Sequence, residues 1–403
     1  MDVHIKPSTL GGCVKAPPSK SYAHRLVLCA ALAEGTSVIQ GIAHSEDLLA
    51  TLDCISALGA RYTLTGDAAV IQGRTDRPSG KAVFPCRESG STLRFFLPLS
   101  LDGGGDRCFT GTRRLMERGV GIYETLFREK GVCLQKDSER ILASGALPPG
   151  EYALPGNVSS QFASGLLFAL PLLDGDSVIR VLPPVESRAY IDITVAVMRL
   201  FGVTVDEIAP NIFLVRGGQT YRPMEATVEG DWSNAAVLHA FNHLGGSITI
   251  TGLNDSSLQG DRVCLRLLRQ LEMPGAEIDL SACPDLGPIL FALAAEKHGA
   301  VFTGTKRLRI KESDRAQSMA DELAKFDICA DVQENAVIIH PGKLRAPTEV
   351  LRGHNDHRIV MALTVLASRV GGTVNGAEAV RKSFPEFFDV LRRLGLEMRV
   401  DGA

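Results

Sequence analysis

One arrangement of apolar and polar positions recurs six times along the 403-residue chain. A short polar opening leads into an apolar stretch of small residues. Gly follows, then a β-prone run, then another turn. The copies are SYAHRLVLCAALAEGTSVIQGI, STLRFFLPLSLDGGGDRCFTGT, SQFASGLLFALPLLDGDSVIRVLP, SNAAVLHAFNHLGGSITITGL, DLGPILFALAAEKHGAVFTGT and DHRIVMALTVLASRVGGTVNGA. Their openings fall at Ser21, Ser91, Ser160, Ser233, Asp285 and Asp356, at successive intervals of 70, 69, 73, 52 and 71 residues. Ser and Asp at these positions predict helix N-caps, because their oxygens accept the unsatisfied backbone N–H groups. Gly suits the helix exit. The stretches are apolar nearly all round, which predicts buried helices rather than surface ones. Alternating runs such as SVIQGI and SITITGL predict strands. Six such units predict three repeats in each of two domains.

Composition narrows the function. The chain is 45% apolar and 22% charged, the balance of a soluble globular protein. Aromatic residues make up only 6%, so packing rests on Leu, Val, Ile and Ala. A net charge of −3 gives no global attraction to nucleic acid or a membrane. An anionic ligand must therefore be held by local clusters of Lys and Arg. Nine scattered cysteines without a CxxC pair argue against a disulfide framework and fit a reducing compartment. MDVHIKPSTLGG has no apolar signal core, and FASGLLFALPLL is too short to span a bilayer. The expectation is a cytoplasmic protein. No Walker A or GxGxxG loop is present, so a nucleotide or dinucleotide cofactor is not supported.

The chemistry-bearing residues cluster at the helix openings. Helix N-termini present free N–H groups and partial positive charge, and so attract anions. PPSKSYAHR places Lys20 and Ser21 at a helix start, with Arg25 one turn on. Cations there oppose the helix dipole, which points to an anionic ligand that outweighs the cost. RESGSTLRF supplies Gly90 for close backbone approach and Arg94 as a carboxylate or phosphate fork. TRRLMER brings Arg118 out of an expected loop. GNVSSQFASG sets Ser159, Ser160 and Gln161 at an apolar helix, and ESRAYID adds Ser187, Arg188 and Tyr190. In CPDLGPI, Asp285 is either an N-cap or a general base beside a cation. RLRIKESDR is the densest charge cluster, with Lys311, Glu312, Asp314 and Arg315; its bland reading is a solvated helix start laced with ion pairs. GHNDHR presents His357 and Arg358 at another opening, and RKSFPEFF presents Lys382 before an aromatic group. His354 with His357, and His239 with His243, lack the further ligands a metal site needs, so no metal is expected.

Taken in order, these motifs resemble the EPSP synthase family of enolpyruvyl transferases over essentially the whole chain. SKSYAHR is similar to that family's SKS-x-x-x-R, ESGSTLR to N-A-G-T-x-x-R, VSSQF to SSQ, and KESDR to KE-[ST]-DR; the PD at Asp285, NDHR and KSFP also match. The resemblance implies a two-domain inside-out α/β barrel, with three βαβαββ repeats per domain around buried parallel helices. It implies a domain of residues 18–227 and a discontinuous one of 1–17 plus 228–403, with the active site in the cleft between them. It implies transfer of the enolpyruvyl group of phosphoenolpyruvate to the 5-hydroxyl of shikimate 3-phosphate, without cofactor or metal, by a monomer whose partners are small molecules rather than nucleic acid or membrane. On the family pattern, shikimate 3-phosphate meets Lys20, Ser21, Arg25, Ser159, Ser160, Gln161, Ser187, Tyr190, Asp285 and Lys311. Phosphoenolpyruvate meets Lys20, Gly90, Arg118, Gln161, Arg315, Arg358 and Lys382. Asp285 is the implied base, and Glu312 or Lys20 the acid. Glu88, Ser91 and Phe95 depart from the family's usual Asn, Thr and Pro, and Arg307 replaces a substrate-contacting Asn.

Two other readings compete. The related family acting on UDP-N-acetylglucosamine has Lys–Asn where this chain has Lys20–Ser21, and a reactive Cys in a loop that here, near Arg118, has none. A non-catalytic phosphometabolite-binding protein would need the anion-binding residues but neither Asp285 nor Glu312.

Overall fold

The computed structural model describes residues 1–75, 80–103 and 105–402. The chain divides into two compact units, one of Pro18–Glu229 and one of Met1–Pro17 with the segment from Gly230 onward. Each is α/β with its own hydrophobic core. Three helices lie inside the first unit: Lys20–Leu32, Gly90–Leu99 and Ser160–Ala169. Trp232–His243, Gly287–Glu296 and His357–Val370 lie inside the second. Leu28, Phe96 and Leu167 in one unit, and Leu238, Leu290 and Leu363 in the other, are fully buried. Small residues let these helices approach closely. A Cβ on Gly165 would stand 2.3 Å from the Arg94 carbonyl oxygen and from the Tyr123 hydroxyl, so only glycine fits there.

The caps sit earlier than the sequence predicts. Ser89, Ser159 and Asp231 accept the backbone N–H groups of Thr92, Gln161 and Asn234, and Ser19 holds the cap position of the first helix. Of the six expected caps only Asp356 is one, accepting from the Arg358 N–H at 2.9 Å. Four openings carry two suitable oxygens a short step apart. The earlier one takes the cap position, with a side-chain bond at Ser89, Ser159 and Asp231 but not at Ser19, which leaves Ser21, Ser91, Ser160 and Ser233 on the first helical turn.

Five sheets repeat one topology. A leading strand pairs parallel with a second strand, which pairs antiparallel with a third, and the third pairs antiparallel with an edge strand; in four of the sheets these last two form a hairpin. Ala82–Pro85, Asp106–Thr110, Cys133–Lys136 and Arg140–Ser144 form one such sheet. In the first unit the leading strand of the first repeat is Glu225–Thr227, from the far end of that unit. In the second unit Asp2–Ile5 completes the last repeat, between Gly372–Asn375 and Met398–Asp401. No helix of the described residues is long and apolar enough to cross a membrane.

The repeat opening at Ser233 is the exception. Its sheet has two strands, Gly11–Lys15 and Ser247–Thr251, and no hairpin follows among the described residues. Its 52-residue interval is thus a βαβα unit rather than a βαβαββ unit. The Asn242 side chain bonds the strand edge where an antiparallel strand pairs in the other five. Its Oδ1 accepts the Ile248 N–H at 2.7 Å, and its Nδ2 donates to the Ile248 carbonyl at 2.8 Å. Asn242→Ala should leave both groups unsatisfied in a partly buried place, costing about 1–3 kcal/mol. Chemical denaturation measures this; an unchanged midpoint would show that the amide contributes nothing.

Candidate active site

Each unit gathers its own set of the expected residues. In the first unit, Lys20 begins the Lys20–Leu32 helix, and its Nζ lies 2.8 Å from Asp47 Oδ2. Arg25, one turn on, is buried. Its Nε donates to Thr194 Oγ1 at 2.8 Å, and its guanidinium reaches the carbonyls of Ser21 and Tyr190 at 2.8 and 3.0 Å. The same guanidinium lies 5.1 Å from the Phe95 ring centroid, which gives the family-atypical Phe95 a job beneath a cation. Burial lowers the Arg25 pKa to about 10. Ser187 heads the Arg188–Leu200 helix with φ of +54°, and Tyr190 lies on that helix's first turn.

Arg94 joins the rest of this set. It donates to Gln161 Oε1 at 2.5 Å and to the carbonyls of Arg118 and Gly119 at 3.2 Å. Gln161 in turn donates to Ser91 Oγ at 2.9 Å. The sequence offers Arg94 as a fork for a ligand; the structure spends its guanidinium on holding Gln161 and Arg118. TRRLMER is not a loop. Arg113–Arg118 is a short helix because Thr112 caps it and Leu115 and Met116 are buried. It ends with Arg118 against Gly90, where an added Cβ would meet Arg118 Nη2 at 2.9 Å. Lys20, Arg25, Gly90, Arg118 and the Ser159–Gln161 turn therefore mark the starts of the three buried helices.

The second unit is organised around Arg315. Its guanidinium is 1% exposed and meets three carboxylates. Nε donates to Asp356 Oδ2 at 2.8 Å, Nη1 to Asp285 Oδ1 at 2.7 Å, and Nη2 to Glu312 Oε2 at 2.7 Å. Lys311 Nζ adds a second cation to Asp285 Oδ1 at 3.1 Å. The KESDR cluster is thus an internal charge lattice, not a solvated helix start. The reason lies in its approach: Lys306–Ile310 forms a 3-10 turn tied to Glu334 and Asn335, and it brings Lys311 inward. Asp285 does not cap. It lies in the Pro284–Leu286 turn, and neither that turn nor the Gly287–Glu296 helix has a side-chain cap.

The electrostatics follow from these contacts. Burial pushes the Asp285 carboxyl up, but Lys311, then Arg315 and Arg358, outweigh it and hold its pKa well below the usual carboxylate range. Burial lowers the Lys311 pKa, against the pull of Asp285. Arg315 is raised despite burial, chiefly by Asp356. Asp261, which the sequence does not single out, is buried alongside; burial and then the Asp285 charge raise its carboxyl to about 7. Arg358 donates to Asn234 Oδ1 at 3.2 Å, as does Ser383, and Lys382 donates to the Asn355 carbonyl at 2.5 Å. Asp285, Lys311, Glu312, Arg315, Arg358 and Lys382 thus converge within one unit. His354 bonds Glu322 at 2.9 Å and His243 bonds Glu272 at 2.6 Å, so each imidazole is engaged by a carboxylate. Sequence reasoning missed Asp47, Asn234 and Asp261; the one visible hint was their place in or beside helix openings.

The profile of the family described as EPSP synthase (3-phosphoshikimate 1-carboxyvinyltransferase) matches residues 5–274 and 267–391. The two matches meet where the shortened repeat ends. A protein of Clostridium kluyveri named 3-phosphoshikimate 1-carboxyvinyltransferase is 39% identical over 422 residues, covering 98% of each chain. One of the same name from Clostridium perfringens is 39% identical over 418 residues, again with 98% of each chain covered. Both alignments are longer than the 403-residue chain, so they contain gaps within it. An EPSP synthase structure from Acinetobacter baumannii superimposes with a TM-score of 0.80 at 24% identity over all of both chains, which establishes the same fold. By its profile match and these close relatives, the chain belongs to the EPSP synthase family.

Proposed function

We propose that this chain transfers the carboxyvinyl group of phosphoenolpyruvate to the 5-hydroxyl of shikimate 3-phosphate and releases phosphate. The observation that carries the reading is Asp285, a carboxylate set against both Lys311 and Arg315 at the start of a buried helix. The name borne by the curated relatives supports it. Asp285 takes the 5-hydroxyl proton, and the oxygen attacks the central carbon of phosphoenolpyruvate. Glu312 or Lys20 protonates the methylene carbon, giving a tetrahedral phosphate ketal. Loss of phosphate and of one methyl proton restores the double bond as an enol ether.

In this reading both units contribute cations to each substrate. Arg25, Ser21, Ser159, Ser160, Gln161, Ser187, Tyr190 and Lys311 hold shikimate 3-phosphate. Lys20, Gly90, Arg118, Gln161, Arg315, Arg358 and Lys382 hold phosphoenolpyruvate. Arg forks and Lys ammonium groups suit the two phosphates and two carboxylates that the pair brings. A strongly acidic Asp285 is a poor base, because a base works best with its pKa near the operating pH. Anions arriving at Lys311, Arg315 and Arg358 neutralise the charges that depress it, so substrate binding raises its basicity. The enzyme works as a cytoplasmic monomer on these small molecules, and side chains alone supply its acid–base chemistry.

Phosphate release tests the reading directly. Phosphoenolpyruvate with shikimate 3-phosphate should release phosphate, and phosphoenolpyruvate with UDP-N-acetylglucosamine should not; the reverse pattern would overturn it. Asp285→Asn keeps the shape but cannot accept the proton, so turnover should fall about 100- to 10,000-fold while calorimetry still detects shikimate 3-phosphate binding. A folded Asp285→Asn variant with near-normal turnover would remove Asp285 as the base.

Lys20→Ala and Arg118→Ala should each lower kcat/KM for phosphoenolpyruvate about ten- to a hundred-fold, the worth of a lost charge-assisted contact. Gly90→Ala should act in the same direction, because its methyl group displaces the Arg118 guanidinium. Steady-state kinetics with phosphoenolpyruvate varied checks all three; unchanged constants in Arg118→Ala would dismiss that assignment.

A further inference from the structure

We infer that Cys329, Asp331 and His340 form a surface site for a divalent transition ion, with Zn2+ its best-matched occupant. The three residues lie on one antiparallel hairpin of the second unit. Ala330–Val332 pairs with Ala336–Ile339, Ala330 opposite Ile339. The His340 N–H donates to the Cys329 carbonyl at 3.0 Å, which extends the ladder by one pair and sets Cys329 across from His340. Asp331 is two residues beyond Cys329, so alternation puts it on the same face. One ligand atom from each residue lies within 4.8 Å of the other two.

The donor set selects the metal. A thiolate, an imidazole and a carboxylate suit Zn2+ and its neighbours, whereas Ca2+ and Mg2+ take oxygen ligands. Three protein ligands with water in the fourth position is a common zinc arrangement. Metal–ligand lengths of about 2.0–2.3 Å put tetrahedral donors roughly 3.3–3.8 Å apart. Side-chain rotation closes the remaining gap, because the hairpin backbone is already fixed by its ladder. His340 Nε2 and Asp331 Oδ2 now stand 2.8 Å apart with one proton between them. The ion takes the place of that proton, which moves to His340 Nδ1 of the neutral imidazole, and the Cys329 thiol releases one proton to solvent. Cys329 and Asp331 are exposed and His340 is half-exposed, so an ion has access. The simpler alternative is that His340 and Asp331 form a cross-strand ion pair and nothing more.

Co2+ titration of the metal-free protein separates the two. The site should give one saturable equivalent with thiolate-to-cobalt charge-transfer absorption and tetrahedral d–d bands, all displaced by Zn2+. Cys329→Ser should abolish the charge-transfer band. His340→Ala and Asp331→Asn should each weaken Zn2+ binding in calorimetry at least about tenfold, and parent affinity should rise with pH as the ligands lose their protons. None of the three residues takes part in the proposed chemistry, so phosphate release by each variant confirms an intact fold. Cys13 and Cys133 are also exposed. A charge-transfer band that survives in Cys329→Ser would therefore belong to them and overturn the site. So would Zn2+ affinity unchanged in His340→Ala, or no saturable Co2+ binding in the parent.

Discussion

A buried guanidinium needs counter-charge in fixed places, and that demand at Arg315 governs the second unit. Removing one charge from water costs several kcal/mol unless close partners and good geometry repay it. Asp356, Glu312 and Asp285 do so along the edges of the Arg315 plane. Each partner brings a different element with it: Asp356 the start of the His357–Val370 helix, Asp285 the turn into the Gly287–Glu296 helix, and Glu312 the loop carrying Lys311. One cation therefore sets the distance between a candidate base and the cations around it. The first unit uses the same device at lower charge, with Arg25 and Arg94 bonded to carbonyls, hydroxyls and an amide, and laid over Phe95 and Phe162.

Much of this was legible in the chain because it depends on local order. Apolar stretches behind polar openings mark six helices that bury themselves, and the motifs at those openings name nearly every residue of both clusters. What stayed hidden depends on pairing between distant segments. Asp47 becomes relevant only through its contact with Lys20, and Asp261 only through its burial near Asp285. The choice between Ser89 and Ser91 as a cap turns on backbone geometry that a composition pattern does not carry. Arg94 and Arg118 look alike as basic residues, yet one is structural support and the other ends a helix against Gly90. Cys329 and His340 are eleven positions apart and meet only because a hairpin folds back on itself.

The short interval at Ser233 was visible as a number before it had a meaning. Its meaning is a missing hairpin, covered at one point by an asparagine that imitates a strand. A single amide matches one residue of a ladder, here Ile248 among the five of Ser247–Thr251. The two matches of the family profile overlap in the same stretch, residues 267–274.

The path of the N-terminus has a consequence for synthesis. Asp2–Ile5 is hydrogen-bonded on one side to Gly372–Asn375 and on the other to Met398–Asp401. The ribosome makes this strand several hundred residues before either neighbour. Pro18–Glu229 holds all the strands of its own three sheets, so it can complete itself while translation continues. Gly11–Lys15 finds its partner once Ser247–Thr251 is made, but Asp2–Ile5 must wait for Met398–Asp401, tethered to a finished unit, before its own can close.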